Sequence, residues 1–256
     1  MDFKTIIPDK SISLFVKSIL VFEEEDKTQK TILPFFADGY PGLMFQETKN
    51  GLLVNPHDLQ MPSLFLYGQT IKPIELVIHG AYKLIIFQLY PFVLKSFFNV
   101  AAKDINDSCY DLEQMENKAG TIQKLQKQRK PGKRIEIMTN LLFELFSIRK
   151  ATLDFQIKQA VEIIIDNKGQ IAVPDICKKI HLTKRTFERR FLKEAGILPK
   201  QFSQIIQFQQ SLQQMTLKEY TKLTDLVYHN GFADQSHFIR VFKAFTGKTP
   251  KAFVSK

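Results

Sequence analysis

Two short segments near the end of the chain carry side chains that can read the edges of nucleic-acid bases. Arginines and a glutamate recur between residues 184 and 193, and glutamine, serine, histidine and arginine cluster between residues 235 and 240. A guanidinium forms two hydrogen bonds with guanine O6 and N7, and a glutamine amide pairs likewise with adenine N6 and N7. Neighbouring lysines suit phosphate oxygens, which set affinity rather than sequence choice.

The candidate residues fall into two groups by chemistry. The candidate base-reading residues are Arg185, Glu188, Arg189, Gln235, Ser236, His237, Ile239 and Arg240. The candidate phosphate-binding residues are Thr183, Lys184, Arg190, Lys193, Lys243 and Lys248.

The first segment is predicted to be the second helix of a helix-turn-helix. A short helix over Pro174–Ile180 precedes a turn at His181, and Thr183 is a good N-cap for a helix that ends at Gly196. Phe187 and Phe191 lie four residues apart and face inward, which leaves the charged side chains outside.

The pattern recurs nearer the end of the chain. A short helix over 222–229 leads into the turn Asn230-Gly231, and Asp234 caps a helix over 234–246 that Gly247 ends. Pro199 opens a connecting helix to about residue 217, with a glutamine-rich stretch over 201–214. At 1.5 Å per residue that helix is about 27 Å long, and adjacent major-groove segments on one face of a duplex lie about 34 Å apart. Two reading helices can therefore serve one duplex.

Charge and breakers divide the chain into two predicted domains, 1–150 and 154–256, with a junction near 147–153. Residues 151–256 hold 17 Lys and Arg against 9 Asp and Glu, a balance of +8, whereas the first 150 residues carry only +2 of the total of +10. A basic domain beside a near-neutral one favours a polyanionic partner for the basic part.

The first domain is predicted to be strand-rich over about 12–90 and helical over about 92–149, which makes the chain an α+β multidomain protein. Many short strands with turns between them favour a barrel-like (cupin-like) domain. Asn50-Gly51 predicts a hairpin. The apolar stripe over 135–146 indicates core packing, with a dimer surface as the alternative.

Residues 154–256 resemble the DNA-binding domain of AraC/XylS-type transcription regulators. The resemblance is carried by Asn230-Gly231-Phe232-x-Asp234-Gln235-Ser236-His237-Phe238-x-Arg240-x-Phe242-Lys243, followed by Gly247-x-Thr249-Pro250-x-x-Phe253, and less specifically by Leu182-Thr183-x-Arg185-x-Phe187-x-Arg189-x-Phe191. It implies seven helices, two of them recognition helices that use the base-reading positions named above. The chain departs from the family at His181, where a glycine is usual, and at Gln207, where an arginine is common. His181 is therefore expected to take a positive φ, and the first unit to dock less tightly.

The N-terminal half is similar to sensor domains of such regulators in Bacteroidetes-like sequences. Three stretches carry this weaker resemblance: Leu33-Pro34-x-x-x-Asp38-Gly39, Phe65-x-x-Gly68 and Phe87-x-x-x-Pro91-x-x-Leu94. This resemblance implies a small-molecule effector and a second copy of the chain as partners, whereas that of residues 154–256 implies double-stranded promoter DNA, with RNA polymerase as a further partner of such a regulator.

Three alternatives remain beside a regulator: an enzyme in the N-terminal half, a DNA-repair domain fused to a DNA-binding module, and a non-specific nucleoid protein. Against an enzyme, the five histidines form no two-histidine metal spacing, and neither a phosphate loop nor a nucleophile elbow is present. Against repair chemistry, Cys109 has acidic neighbours that disfavour a thiolate. Against a nucleoid protein, arginine and glutamine cluster at reading positions.

We expect neither catalysis nor a cofactor or metal. The sequence shows no signal peptide and no apolar run near 20 residues, so we expect a cytoplasmic, nucleoid-associated protein without membrane contact.

Overall fold

The computed structural model describes residues 2–26, 28–112, 119–149 and 153–254. The strands are β1 Asp2–Ile6, β2 Val16–Glu24, β3 Lys30–Phe35, β4 Gly42–Thr48, β5 Leu52–Asn55, β6 Leu59–Gln60, β7 Leu64–Tyr67, β8 Ile74–His79, β9 Tyr82–Leu89 and β10 Cys109–Asp111. The helices are α1 Val93–Phe98, α2 Ala119–Lys127, α3 Pro131–Arg149, α4 Phe155–Asp166, α5 Val173–Ile180, α6 Lys184–Ala195, α7 Pro199–Thr216, α8 Leu223–His229, α9 Gln235–Thr246 and α10 Pro250–Val254. A 3₁₀ helix covers Ala102–Ile105.

The strands form two antiparallel sheets. One has six strands in the order β1-β2-β9-β4-β7-β10, and the other has four in the order β3-β8-β5-β6. Side chains alternate across β4, so Met44 faces the second sheet while Leu43 and Phe45 face the helices. The six-stranded sheet is thus buried on both sides, which explains why its central strands are nearly continuous apolar runs.

The prediction of a strand-rich, barrel-like N-terminal domain is confirmed, in the form of two facing sheets. Among the described strands no pairing joins one sheet to the other. The space between them is filled by an apolar cluster that includes Met44, Phe65 and Ile86 from the first sheet and Leu52 and Leu76 from the second.

The hairpin prediction at Asn50-Gly51 is wrong. The turn does connect β4 to β5, but β4 pairs with β7 and β9 whereas β5 pairs with β6 and β8. The dipeptide therefore makes a corner where the chain changes sheets, and local turn chemistry does not distinguish a corner from a hairpin. Two strands, β1 and β10, also lie outside the predicted strand region of 12–90.

The apolar stripe of α3 packs into the core of the protein, so the core-packing interpretation is confirmed. The ring of Phe146 lies 4.6 Å from that of Phe97 and 4.4 Å from that of Phe15, measured between centroids. On the same helix the guanidinium of Arg134 is 0% exposed, donates to Glu47 and lies 4.9 Å from the centre of the Phe45 ring. These contacts fix the helix against the sheet.

Seven helices, α4–α10, follow Leu153, in agreement with the predicted architecture. The side chain of Asp154 caps α4 and that of Asp234 caps α9, by accepting from the N–H groups of Ile157 and His237. Three positions of the predicted junction, 150–152, lie outside the described residues. No helix in the described ranges combines the length and the apolar character that crossing a bilayer demands.

The helices of the C-terminal part pack directly on α1, the 3₁₀ helix and a loop of the N-terminal part. The loop between β3 and β4 lies against α7, and a Cβ added to Gly39 would stand 3.0 Å from the Phe202 ring and 3.3 Å from Ile206. Only glycine admits this close approach. One apolar cluster consequently runs from Phe87 and Phe97 through Phe202 to Phe242 without interruption.

Candidate nucleic-acid interface

The first helix-turn-helix, which we call the first head, consists of α5, the turn at His181–Leu182 and α6. His181 takes a left-handed conformation with φ 53°, as expected, and its N–H closes α5 on the carbonyl of Cys177. The Thr183 hydroxyl caps α6 by accepting from the N–H of Thr186 at 3.3 Å. Phe187 and Phe191 are fully buried with ring centroids 5.6 Å apart. The cap fixes the start of α6, and these two rings fix which face of the helix is exposed.

The outer face of α6 is charged and open. Lys184, Arg185, Arg189 and Lys193 are all exposed, and Glu188 is half-buried with a carboxylate oxygen 3.9 Å from the Lys184 ammonium. A shallow hollow on the protein surface is lined by Lys184, Arg185, Glu188 and Arg189, together with Leu192 and Leu198. The base-reading candidates of the first head therefore lie side by side on an accessible surface, flanked by the lysines.

Arg190 does not belong to that surface. Its guanidinium donates to both carboxylate oxygens of Asp154, at 2.8 and 2.5 Å, and to the Gln156 side chain at 2.7 Å. The predicted phosphate contact is therefore not the role that the structure gives this residue. The sequence concealed this because Arg189 and Arg190 are adjacent, and about 100° of helix rotation separates the open face from the α4 face.

The second head consists of α8, the turn at Asn230–Gly231 and α9. The buried Asn230 donates to the Leu226 carbonyl and to the Gln214 side chain, both at 2.8 Å. Phe232 packs its ring 5.0 Å from that of Phe238. The Asp234 carboxylate accepts from the His237 N–H at 2.7 Å, which fixes the start of α9.

Polar and basic side chains cover the outer face of α9. Gln235, Ser236, Arg240 and Lys243 are exposed, and Ile239 is 36% exposed between them. An isoleucine there can contact the methyl group of thymine. Four of the five base-reading candidates in this head are therefore accessible along one helix.

His237 is the fifth candidate, and its ring turns toward the protein. It is half-buried, its ring lies 5.7 Å from that of Phe232, and its Nε2 atom lies 3.5 Å from Nε2 of Gln204 on α7. Lys248 stands beyond the end of α9 next to a crevice lined by Pro34, Asn55 and Glu75 of the N-terminal domain. Both residues were predicted to contact DNA, and both lie beside other parts of the protein.

The helix α7 joins the two heads through aromatic contacts near its start and at its middle. Phe202 lies 5.7 Å from Phe191 of the first head, and Phe208 lies 5.5 Å from Phe242 of the second, between ring centroids. The glutamine side chains of α7 also reach the second head and the N-terminal domain. These contacts were not predicted from the sequence, although the glutamine-rich composition of 201–214 was a signal for them.

The described residues hold no cluster of three or more His, Cys, Asp or Glu side chains that could bind a metal. Both cysteines are free, and burial raises the pKa of each thiol, which lowers its thiolate fraction.

The fold and the interface together define a double helix-turn-helix protein with an appended β-sheet domain. Residues 176–256 match a family model described as a helix-turn-helix domain, and residues 4–111 match a domain of unknown function, DUF6597. The C-terminal part is an AraC-type helix-turn-helix domain, and the chain is a DNA-binding transcription regulator. No curated protein matches the chain.

Among solved structures, the chain is similar to ToxT from Vibrio cholerae. A 1.65 Å structure of ToxT shares 15% identity at a TM-score of 0.48, over 100% of this chain and 98% of that one. A structure of ToxT bound to (E)-4-(8-methylnaphthalen-1-yl)but-3-enoic acid shares 14% at 0.47, over 100% and 99%. An unsaturated fatty acid bound ToxT shares 13% at 0.45, over 92% and 94%.

Proposed function

We propose that the regulator reads two adjacent major-groove segments of promoter DNA with the outer faces of α6 and α9. The observation that carries the proposal is the exposure of arginine side chains on both helices, with an exposed glutamine on α9, each helix being capped and backed by buried phenylalanines. Capping and core packing hold each reading face without help from DNA, so little ordering is required on binding.

The proposed base contacts are those whose side chains reach open surface. They are Arg185, Glu188 and Arg189 in the first head and Gln235, Ser236, Ile239 and Arg240 in the second. Lys184, Lys193 and Lys243 flank them and are proposed to bind phosphates, with Thr183 at the N-terminus of α6. Arg190 and His237 are left outside the contact set because their side chains are engaged within the protein.

Selection of bound duplexes from a random library with the full chain tests this function. We expect a two-part motif, one part for each head, with the parts about one helical turn apart. Recovery of duplexes with no shared motif would contradict sequence-specific reading and favour a non-specific nucleoid protein. A readout of transcription from a promoter carrying the selected motif distinguishes activation from repression, and tests the expected contact with RNA polymerase.

Control by a small molecule is a second proposal, and it rests on a cavity between the two sheets. The cavity holds about 30 Å³ and is lined mainly by apolar side chains, among them Met44, Val54, Met61 and Phe65. Sites for drug-sized ligands are roughly 300–1,000 Å³, so a ligand would have to displace side chains. Methionine adapts its shape readily, so we propose that an apolar effector enters by displacing Met44 and Met61.

The cavity can be tested with small apolar probes such as benzene and indole. A rise in melting temperature with the probe is expected for the wild-type chain, a larger rise for Met61→Ala, and none for the cavity-filling Val54→Phe. The absence of any rise in both the wild type and Met61→Ala would contradict an apolar effector site here.

Pairing of two copies would use a surface other than the predicted stripe. Met138, Leu142 and Phe146 of α3 are buried within the chain, whereas Phe143 and Ile148 remain exposed on the same helix. Sedimentation of the full chain over a range of concentrations tests for a homodimer.

A further inference from the structure

We propose that the glutamine side chains of α7 couple the N-terminal domain to the second head, so that the N-terminal domain sets the separation of the two recognition helices. This inference rests on the proposed function of α6 and α9. The linker glutamines, as we name them, are Gln204, Gln207, Gln209 and Gln214.

The linker glutamines lie on two different faces of α7. At about 100° of rotation per residue, Gln207 and Gln214 fall within about 80° of Gln204, whereas Gln209 falls about 140° away. Phe208 shares the first face, and Phe202, Ile205 and Ile206 share the second. The helix thus has one face for the second head and another for the N-terminal domain.

The first face holds the turn of the second head. Gln214 accepts a hydrogen bond from Asn230 at 2.8 Å, and Gln207 donates to the Gly231 carbonyl at 3.5 Å. Gln204 approaches His237 at 3.5 Å, at the start of the recognition helix. Three glutamines therefore contact the turn and the first residues of α9, which are the points that fix its direction.

The second face contacts the loop between β3 and β4. Gln209 donates to the Ala37 carbonyl at 2.5 Å, and Phe202 and Ile206 pack on Gly39. That loop is itself held within the N-terminal domain, since Gln69 donates to the Gly39 carbonyl at 3.1 Å and Gln88 donates to the Asp38 carboxylate at 2.7 Å. A shift of this loop would consequently be transmitted to α7.

The first head is tied to the N-terminal domain at a separate place. Asn106 donates to the Gly196 carbonyl at 2.8 Å, at the end of α6, and the Ser96 hydroxyl lies 3.3 Å from the buried Glu194 carboxylate. The N-terminal domain therefore contacts the first head directly, and it contacts the second head both through α7 and at the end of α9, where Thr246 shares a crevice with Pro34 and Glu75. Because the repeat of a duplex is fixed, the relative placement of the heads selects the spacing of the two half-sites.

The experiment compares binding of the full chain to the selected duplex and to versions with one base pair inserted or deleted between the half-sites. The test variant is Gln209→Ala, and the matched control is Gln213→Ala, an exposed glutamine on the same helix. Thermal melting of each variant verifies that it is folded, and a duplex with only one half-site measures the affinity of a single head.

We expect wild type and Gln213→Ala to prefer one spacing, and Gln209→Ala to lose about three- to tenfold of that preference, the fold-change for one lost hydrogen bond. Affinity for the single half-site should not change. An unaltered spacing profile in Gln209→Ala would overturn the proposal, and so would a wild type indifferent to spacing. Failure of the wild type to bind any selected duplex would instead refute the proposed DNA reading.

Discussion

Arg190 on α6 binds the carboxylate of Asp154, the capping residue of α4, through two hydrogen bonds of 2.8 and 2.5 Å. Both side chains are largely shielded, with 27% and 16% of their surfaces exposed. The pair joins the first helix of the C-terminal part to the recognition helix of the first head, so we expect Arg190 to stabilise that head rather than to contact DNA.

Substitution of Arg190 by alanine is therefore expected to lower the free energy of unfolding by about 1–3 kcal/mol, because a shielded carboxylate loses its charged partner. Urea unfolding measures the loss. The control is Arg189→Ala, an exposed neighbour that should change stability by less than about 0.5 kcal/mol but weaken specific DNA binding. Unchanged stability in Arg190→Ala, with a reduced salt dependence of DNA binding, would restore its predicted role as a phosphate contact.

Arg240 is expected to read a base. Arg240→Ala should cost about 1–3 kcal/mol on the selected duplex and relax discrimination at one position of the motif. Binding to a panel of single-base variants measures this. Equal weakening on all sequences would instead show that Arg240 contacts the backbone.

Lys243 lies three residues further along the same exposed face and is expected to contact a phosphate rather than a base. Lys243→Ala should weaken binding to all sequences alike and lower the slope of log affinity against log salt by about one. Titrations at several salt concentrations measure the slope. A loss confined to one base position would reverse the assignments of Lys243 and Arg240.

His181 takes a left-handed backbone conformation, which costs a residue with a Cβ atom about 1–2 kcal/mol. Glycine avoids this cost but loses more chain entropy on folding, so replacing His181 by glycine recovers only part of it. His181→Gly is therefore expected to raise the free energy of unfolding by about 0.5–1 kcal/mol. Gly196→Ala should do the opposite, since Gly196 has φ +77° and an added Cβ would lie 2.8 Å from the backbone of Ala102. Chemical denaturation of both variants gives the sign of each change in the free energy of unfolding. A lower stability of His181→Gly would mean that the imidazole makes a contact that stabilises the fold by more than the backbone strain costs.

Burial raises the pKa of Asp38 to about 6, although hydrogen bonds from the Tyr40 N–H and from the Gln88 side chain partly lower that pKa. The folded protein therefore holds a proton more tightly at this carboxylate than the unfolded chain, whose value is 3.8. The contribution of Asp38 to stability is fully present below about pH 4 and is lost as the pH rises through about 6. The loss is at most about 2 kcal/mol, since Asp38 is only half-buried.

Asp38→Asn removes this titration and can keep the hydrogen bonds. The amide of the new asparagine would donate to Gln88 once the Gln88 amide has flipped, and the Ser18 hydroxyl, which donates to Gln88 in the wild type, would accept from it instead. The difference in melting temperature between wild type and variant should therefore change between pH 4.5 and pH 7.5, with the wild type gaining at the acid end. A pH-independent difference would contradict the raised pKa.

Local signals predicted the C-terminal half well. Caps at Thr183 and Asp234 and a glycine stop at Gly247 determine where the helices begin and end, and each is readable from a few residues. Phe187 and Phe191 likewise indicated the buried face of α6 because helical periodicity alone decides it.

Long-range pairing limited the prediction of the N-terminal half. The corner at Gly51 and the pairing of β10 with β7 depend on which strands meet across the sheets, and the sequence does not encode that locally. The site suffered from the same limit. Arg190 was assigned to DNA as a basic residue of a predicted recognition helix, and His237 from the family resemblance, whereas their partners Asp154 and Gln204 lie 36 and 33 residues away along the chain.

The continuous packing of Gly39 on Phe202 and Ile206 limits how freely such regulators can be recombined. An N-terminal domain transplanted from a relative would need a glycine in this loop and a surface that fits this particular α7. A gene fusion can exchange either half, but the two folded surfaces must still fit, so the N-terminal and C-terminal halves are expected to diversify together.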